Sequence, residues 1–416
     1  MDNQAVVAPP AQPTPPEPRS DGLRQRIAAF SERVAGLRRA GHYHYFQPVQ
    51  ALDGAWVQTP EGRKLMLATY NYLGLLGHPT IGEAVERATR HYGSGTHGVR
   101  IFGGTLDLHR QLEERIAAFF GREDAIVFSS GYVTNLATVS TLVGRGDRVL
   151  GDRLNHASIV DGCALSGADF RRYRHNDMAD LQRLLQGSPP GADRLVVADA
   201  VFSMDGDLLN LPAVLDLCRR HDAWLMVDEA HSLGVLGASG RGIEEHWDRP
   251  GAIPVLMGTL SKTIPAIGGY VTGERELISY LRHNARGFVF SAAMTPPVAA
   301  AALAAFDLLE LEGVERRARL AANVERFIRG LREAGFDTGP TQTPVIPVML
   351  GDSTLALAMA ACCQARGLFI LPVLPPAVPR GTARLRVNVT AAHTSADVDL
   401  AVEIITACGR HLGLSA

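Results

Sequence analysis

The chain has 416 residues, with 41 Lys plus Arg against 43 Asp plus Glu and a formal net charge of -2; that balance removes the electrostatic case for a nucleic-acid binder. A hydrophobic fraction of 46% is that of an ordinary globular chain, and no apolar run reaches the ~18 residues of a membrane-spanning helix. The five cysteines form an odd, scattered set without a CxxC pair, which suits reduced thiols in the cytoplasm rather than a disulfide framework or a zinc site.

Residues 1–20 hold six prolines and few apolar side chains, the composition of a disordered tail. The N-terminus lacks the basic-then-apolar pattern of a secretory signal. From Leu23 a helical period runs through Ile27, Phe30, Val34 and Leu37 to about Gly41, followed by an extended stretch with a turn at Asp53-Gly54. The segment 21–65 thus reads as an N-terminal helix and extended arm.

Residues 66–297 alternate between the two periodicities. Strand-like runs are Ala125–Phe128, Arg148–Leu150, Leu195–Asp199, Trp224–Val227, Val255–Met257, Gly269–Thr272 and Phe288–Phe290; helical patterns include Leu108–Phe120, Met178–Leu185 and Pro212–His221. Such alternation predicts an α/β domain, a mostly parallel seven-stranded sheet with helices on both faces. Residues 298–416 open with one long helical stretch to about Ala334. Strands near Val345–Met349 and Leu385–Val389 and two more helices then predict a smaller α+β domain.

Two motifs fail on context. Gly93–Gly98 fits GxGxxG but follows a helical segment and opens no helix, so it reads as a pocket-lining loop. Asp228-Glu229-Ala230-His231 imitates a nucleotide motif of helicase-type ATPases, yet Ser261 stands where a phosphate loop needs glycine before its lysine.

Ligands of open α/β sheets bind beyond the carboxyl ends of strands, so the polar residues there carry the argument. Only two of the 41 cations are lysines, Lys64 and Lys262. Lys64, in Glu61-Gly62-Arg63-Lys64, reads as a solvated charge in a polar turn. Lys262 follows a strand among small hydroxylic neighbours, a setting in which a lysine amine can form a Schiff base with a carbonyl. Thr259 and Ser261 beside it can donate to a phosphate. Asp228 closes the Trp224–Val227 strand and suits a protonated pyridine nitrogen, with His231 in reach of the same ring's phenolic oxygen. His156 can stack on a flat ring. Gly131 and Tyr132 begin a helix whose backbone N–H groups suit a phosphate. No metal is implied. Together these groups specify pyridoxal phosphate.

The wording of these segments resembles the α-oxoamine synthase family, pyridoxal-phosphate enzymes of fold type I. The resemblance runs from about Leu23 to Leu414 and rests on Asn71–Leu75, Asn155–Gly162, Val201–Gly206, Val227–Ser232, Gly258–Lys262, Arg384–Arg386 and Thr390–Thr394. It implies that Lys262 carries the cofactor and moves the substrate's Cα proton. It implies further that Asp228 pairs with the ring nitrogen, that His156 stacks on the ring, and that Ser203 and His231 bond the phenolic oxygen. Gly131, Tyr132 and Thr259 would hold the phosphate, and Asn71, His156 and Arg386 the substrate carboxylate. Phe290 and Ser291 would reach the phosphate of a neighbouring subunit, giving a homodimer with shared sites.

The implied reaction is a decarboxylative condensation of a small amino acid with an acyl thioester of CoA or a carrier protein, giving an α-aminoketone, CO2 and free thiol. The residues leave open an aminotransferase or aldolase of the same fold type, or a catalytically silent partner subunit. Two departures bear on substrate: Leu374 stands where serine-using members carry arginine, and Ala377 where biotin-pathway members carry threonine.

Overall fold

The computed structural model describes residues 21–414; the proline-rich tail lies outside the described residues. It divides at Phe46 and Gln47 into two units. In the first, helix Asp21–Arg39 buries no residue, and the Arg38 guanidinium lies 4.8 Å from the centre of the Tyr43 ring.

The second unit, from Gln47 onward, contains three sheets. The first joins β1 (Ala51–Asp53), β2 (Trp56–Thr59) and β3 (Gly62–Met66), an antiparallel meander turning at Gly54 and Gly62, both of which have positive φ. Lys64 lies on β3 and is only 3% exposed, bonded to Glu61 Oε2 at 2.6 Å and Gln364 Oε1 at 3.3 Å. The expected solvated turn is therefore corrected: the strand's pleat carries this side chain inward, where two acceptors meet its ammonium.

The central sheet comprises β4 (Asp124–Phe128), β5 (Arg148–Asp152), β6 (Asp169–Tyr173), β7 (Arg194–Asp199), β8 (Trp224–Asp228), β9 (Val255–Ser261) and β10 (Pro265–Gly273), in the order β4-β10-β9-β8-β7-β5-β6. The β9–β8–β7–β5–β6 pairings are parallel, whereas β10 runs antiparallel to both of its neighbours, β9 and β4. Only three residues connect β9 to β10, too few for a crossover, so the chain returns as a hairpin. The central strands are buried along their lengths, as a sheet covered on both faces demands.

The expected sheet had the right number of strands but one wrong member. Phe288 lies in the short helix Arg286–Val289, where it packs on Phe128 with ring centres 5.7 Å apart. The seventh strand is β6, an edge segment with only Tyr173 buried. The stretch after Pro297 also breaks, giving helices Pro296–Leu311 and Gly313–Glu333 around Glu312. The first of these is alanine-rich and packs closely against helices Pro79–Tyr92 and Asp107–Phe120. Its small side chains permit that approach, and Phe306 meets Phe119 edge-on at 5.4 Å.

β11 (Val345–Gly351), β13 (Leu371–Val373) and β14 (Ala383–Asn388) form the third sheet, and β12 (Leu368–Phe369) joins β3 in the first. Helices Ser353–Ala365 and Ser395–His411 accompany them; Thr394 and Asp397 close a reciprocal cap at the start of the latter.

Candidate active site

β7 and β8 end on acidic residues, Asp199 and Asp228, which are register partners. β9, the next strand, ends on Ser261, with Lys262 following. The carboxyl edge of the sheet therefore gathers two carboxylates and one amine. Around them is a cavity of about 330 Å3 lined by residues that include Tyr70, Gly131, Tyr132, His156, Ser203, Asp228, His231, Thr259, Ser261, Lys262 and Arg386.

Asp228 is buried. Its Oδ1 accepts from Ala230 N at 2.8 Å and its Oδ2 from Asn135 Nδ2 at 2.8 Å. Asp199 Oδ2 accepts from His156 N at 2.7 Å. Burial, then the neighbouring Asp228, pushes the Asp199 carboxyl far above the usual range. Two adjacent buried carboxylates oppose each other's ionisation, which favours the neutral form of Asp199.

Burial also lowers the Lys262 amine from its ordinary value, against the opposing pull of Asp228, Tyr70 and Asp199. Its Nζ stands 5.6 Å from the Tyr70 ring centre. Tyr70 OH accepts from Arg386 Nη1 at 3.1 Å; burial opposes ionisation of this phenol, but Arg386 and Lys262 bring it below its usual value. Arg386 comes from β14 and keeps Nε and Nη2 buried, with no hydrogen-bond partner among the described residues.

Helix Gly131–Leu142 points its N-terminus into the cavity, with Ser130 as cap accepting from Val133 N. A Cβ on Gly131 would lie 2.7 Å from Thr259 Oγ1, so glycine is required where helix and strand meet. Thr259 Oγ1 donates to Gly268 O at 3.0 Å and lies 2.9 Å from Ser261 Oγ. His156 caps helix Ala157–Ser166, its Nδ1 2.7 Å from Ser158 Oγ, and burial lowers its pKa. His231 uses Nδ1 on Tyr72 OH at 2.6 Å; burial, Lys262 and Arg386 hold the ring neutral.

Three predicted residues lie elsewhere. Asn71 lines a neighbouring cavity of about 780 Å3, which Tyr70, Ser261 and Lys262 also border, and its Oδ1 accepts from Leu76 N to hold a turn. Phe290 and Ser291 do not line the Lys262 cavity; Ser291 Oγ lies 3.3 Å from Ser129 Oγ. Asn135, Ser158 and Asp199 are residues that sequence reasoning missed. Asn135 sits one turn beyond Gly131 on the same helix face, the spacing that could have flagged it.

The site fits an anionic, aromatic cofactor. It offers unpaired guanidinium nitrogens, a helix N-terminus, a buried carboxylate able to face a protonated ring nitrogen, and an amine of lowered basicity.

The class I and II aminotransferase family matches residues 63–405. An 8-amino-7-oxononanoate synthase of Geobacter sulfurreducens is 44% identical over 380 residues, 91% of this chain and 97% of that protein. A serine palmitoyltransferase of Bacteroides thetaiotaomicron is 41% identical over 393 residues, 94% of this chain and 100% of that protein.

The chain belongs to the α-oxoamine synthases.

Solved relatives agree with this membership. The serine palmitoyltransferase of Sphingomonas wittichii superposes with a TM-score of 0.92 at 34% identity, covering 95% of this chain and 100% of that one. A serine palmitoyltransferase variant solved with PLP gives 0.91 at the same identity and coverage. As an α-oxoamine synthase, the protein is a pyridoxal-phosphate-dependent acyltransferase of fold type I. It condenses an amino acid with an acyl thioester, with loss of CO2 and release of thiol.

Proposed function

We propose that Lys262, Asp228, His156 and Arg386 carry this condensation, and that the amino acid is small and its carboxylate meets Arg386. The observation that carries the reading is the Arg386 pair of buried, unpartnered nitrogens on the wall of the cavity that Lys262 enters. When bound, pyridoxal phosphate supplies an electron sink for charge developing at the substrate's Cα.

The protein's own groups do the rest. Asp228 holds the ring nitrogen's proton, supported by Ala230 N and Asn135 Nδ2. Ser130, Gly131, Thr259 and Ser261 form the phosphate cradle, with Tyr132 at its mouth. Ser203 and His231 would bond the phenolic oxygen, and the His156 ring would stack on the cofactor. Arg386 would fix the carboxylate on the wall of the cavity that Lys262 enters, and the lowered basicity of Lys262 raises the share of neutral amine that can take the Cα proton.

The larger cavity takes the acyl chain. Leu52, Val57, Met66 and Leu76 give it an apolar lining, and Lys262 stands between it and the smaller one. Leu374 and Ala377 depart from serine-using and biotin-pathway members, which favours an amino acid other than serine and an acyl group other than pimeloyl. We further infer a homodimer in the cytoplasm, supported by an exposed apolar patch at Ile101, Phe102 and Phe290 and by five free cysteines.

The test is a panel of amino acids and acyl-CoA or acyl-carrier thioesters, with CO2 and free thiol measured together. Equal release of both, abolished in Lys262→Ala, is expected. Amino transfer to a keto acid without thiol release overturns the assignment. Borohydride treatment of the loaded enzyme followed by peptide mapping should mark Lys262 and leave Lys64 unmodified.

A further inference from the structure

Helices Ser353–Ala365 and Ser395–His411 pack together and bring three of the five cysteines into one cluster. Arg366, at the end of the first helix, places Nη1 3.1 Å from Cys408 Sγ, and the same nitrogen also contacts Cys362 Sγ. One nitrogen touching both sulfurs keeps them within about 6 Å of each other, a gap that side-chain rotation and a small helix adjustment can close. Cys363 lies beside Cys362 on the same helix and is buried.

The members of the cluster differ in access and charge. Cys408 and Cys363 are buried, Cys362 is half-buried, and Arg366 is exposed, so the cluster opens to solvent on the side of Cys362 and Arg366. Hydrogen bonds from Cys363 and Cys362, with the Arg366 guanidinium, hold the Cys408 thiol down to about 6. Cys163 and Cys218 lie elsewhere, and burial pushes each up to about 12. A thiolate beside a more accessible thiol is the pairing that thiol oxidation exploits.

We propose that Cys362 and Cys408 are a peroxide-responsive dithiol that closes a disulfide between these two helices. The Cys408 thiolate attacks one oxygen of a peroxide; the S–O bond forms, the O–O bond breaks and hydroxide leaves, giving a sulfenic acid. That hydroxide takes the Cys362 proton and becomes water; the Cys362 sulfur then attacks the Cys408 sulfur, the S–S bond forms and hydroxide leaves. The two cysteines are oxidised by two electrons in all and the peroxide is reduced by two. Arg366 holds the Cys408 thiolate charge before the first step, and Cys363 is not a member of the bridge. The cluster lies outside the residues assigned to catalysis and needs none of them.

The experiment treats the PLP-loaded enzyme with hydrogen peroxide, blocks remaining thiols, and maps peptides without reduction. Expected are a peptide pair joining Cys362 to Cys408, loss of two of the five titratable thiols, and a mass lower by about 2 Da that dithiothreitol restores. Cys363→Ser should keep the bridge. Cys362→Ser should lose it and leave Cys408 as a sulfenic acid trapped by a cyclic dione. A Cys363–Cys408 link, a Cys362–Cys363 link, five thiols persisting through the treatment, or thiol loss undiminished in Cys408→Ser overturns the proposal.

Discussion

Asp199 and Asp228 stand opposite each other at the ends of adjacent strands, and burial with the neighbouring carboxylate disfavours ionisation of Asp199. Because the neutral form of Asp199 is favoured, its neutral amide counterpart should replace it at little cost. Asp199→Asn is expected to keep PLP affinity within about threefold of wild type, whereas Asp228→Asn should lower kcat/KM by at least about 100-fold, since a neutral amide cannot hold the ring nitrogen's proton. Cofactor titration by absorbance and steady-state rates check the pair; a collapse in Asp199→Asn would mean that the charge sits on Asp199 instead.

Gly131 makes a steric prediction at the same scale. A methyl group there meets Thr259 Oγ1 at 2.7 Å, and overpacking of this kind costs about 1–3 kcal/mol. Gly131→Ala should weaken PLP binding by roughly the corresponding factor and lower the melting temperature of the loaded enzyme.

At this scale the sequence was most legible where chemistry is local. Lys262, Asp228 and Gly131 each follow a strand, and residue type plus strand end named them. Lys64 misled because its burial depends on Gln364, 300 positions away, and no local pattern carries that contact.

Among elements, the loop after β7 carries Ser203 and is stapled from two sides. On one, His175 bridges Asp152 at the end of β5 and Asp207, at 3.0 and 2.7 Å, with its ring edge-on to Phe202 at 4.4 Å. On the other, Arg384 of β14 bonds Asp205 Oδ1 at 2.5 Å and Met204 O at 3.0 Å.

Burial opposes protonation of His175, but its bonds to Asp152 and Asp207 win and raise its pKa to about 10. The folded value lies above the unfolded value of about 6.5. The imidazolium's contribution to stability is therefore complete below about pH 6.5 and is lost as pH rises through 10. The melting-temperature gap between wild type and His175→Gln should be widest at pH 6 and shrink steadily toward pH 10, as differential scanning fluorimetry across that range would show. A gap that widens with pH contradicts the assignment.

Strand and helix existence followed the period of the apolar residues; identity failed where the period is hidden. β6 reads Asp169-Phe170-Arg171-Arg172-Tyr173, and as an edge strand it buries only its last residue, so a rule that seeks apolar runs passes over it. Phe288 is apolar because a short helix packs it on Phe128, which imitates a strand in sequence. The reversed direction of β10 was hidden as well: the expected runs Val255–Met257 and Gly269–Thr272 lie 11 residues apart, and only the observed strand ends, Ser261 and Pro265, reveal the short hairpin connection.

For the whole molecule, the question is whether one chain holds a complete site. Val99 bridges to Ala292, which brings the loop of Ile101 and Phe102 next to Phe290. Ile101 is 51% exposed, Phe102 84% and Phe290 70%. Large apolar side chains collected in this way suit an interface between two copies related by a twofold axis. If Phe290 and Ser291 act in the partner subunit's site, then Lys262→Ala and the double variant Phe290→Ala/Ser291→Ala damage the same composite site from different chains. Each homodimer should then be nearly inactive. A mixed dimer, however, concentrates both lesions in one site and leaves the other intact. Co-expression in equal amounts gives half mixed dimers by random pairing, each with one working site of two, so about a quarter of wild-type activity should return. If each chain builds its site alone, no mixed dimer contains an intact site and activity stays at the level of the parents. Size-exclusion chromatography of the same samples separates failure to pair from failure to complement, so the recovered rate reports which chain supplies Phe290 and Ser291 to each site.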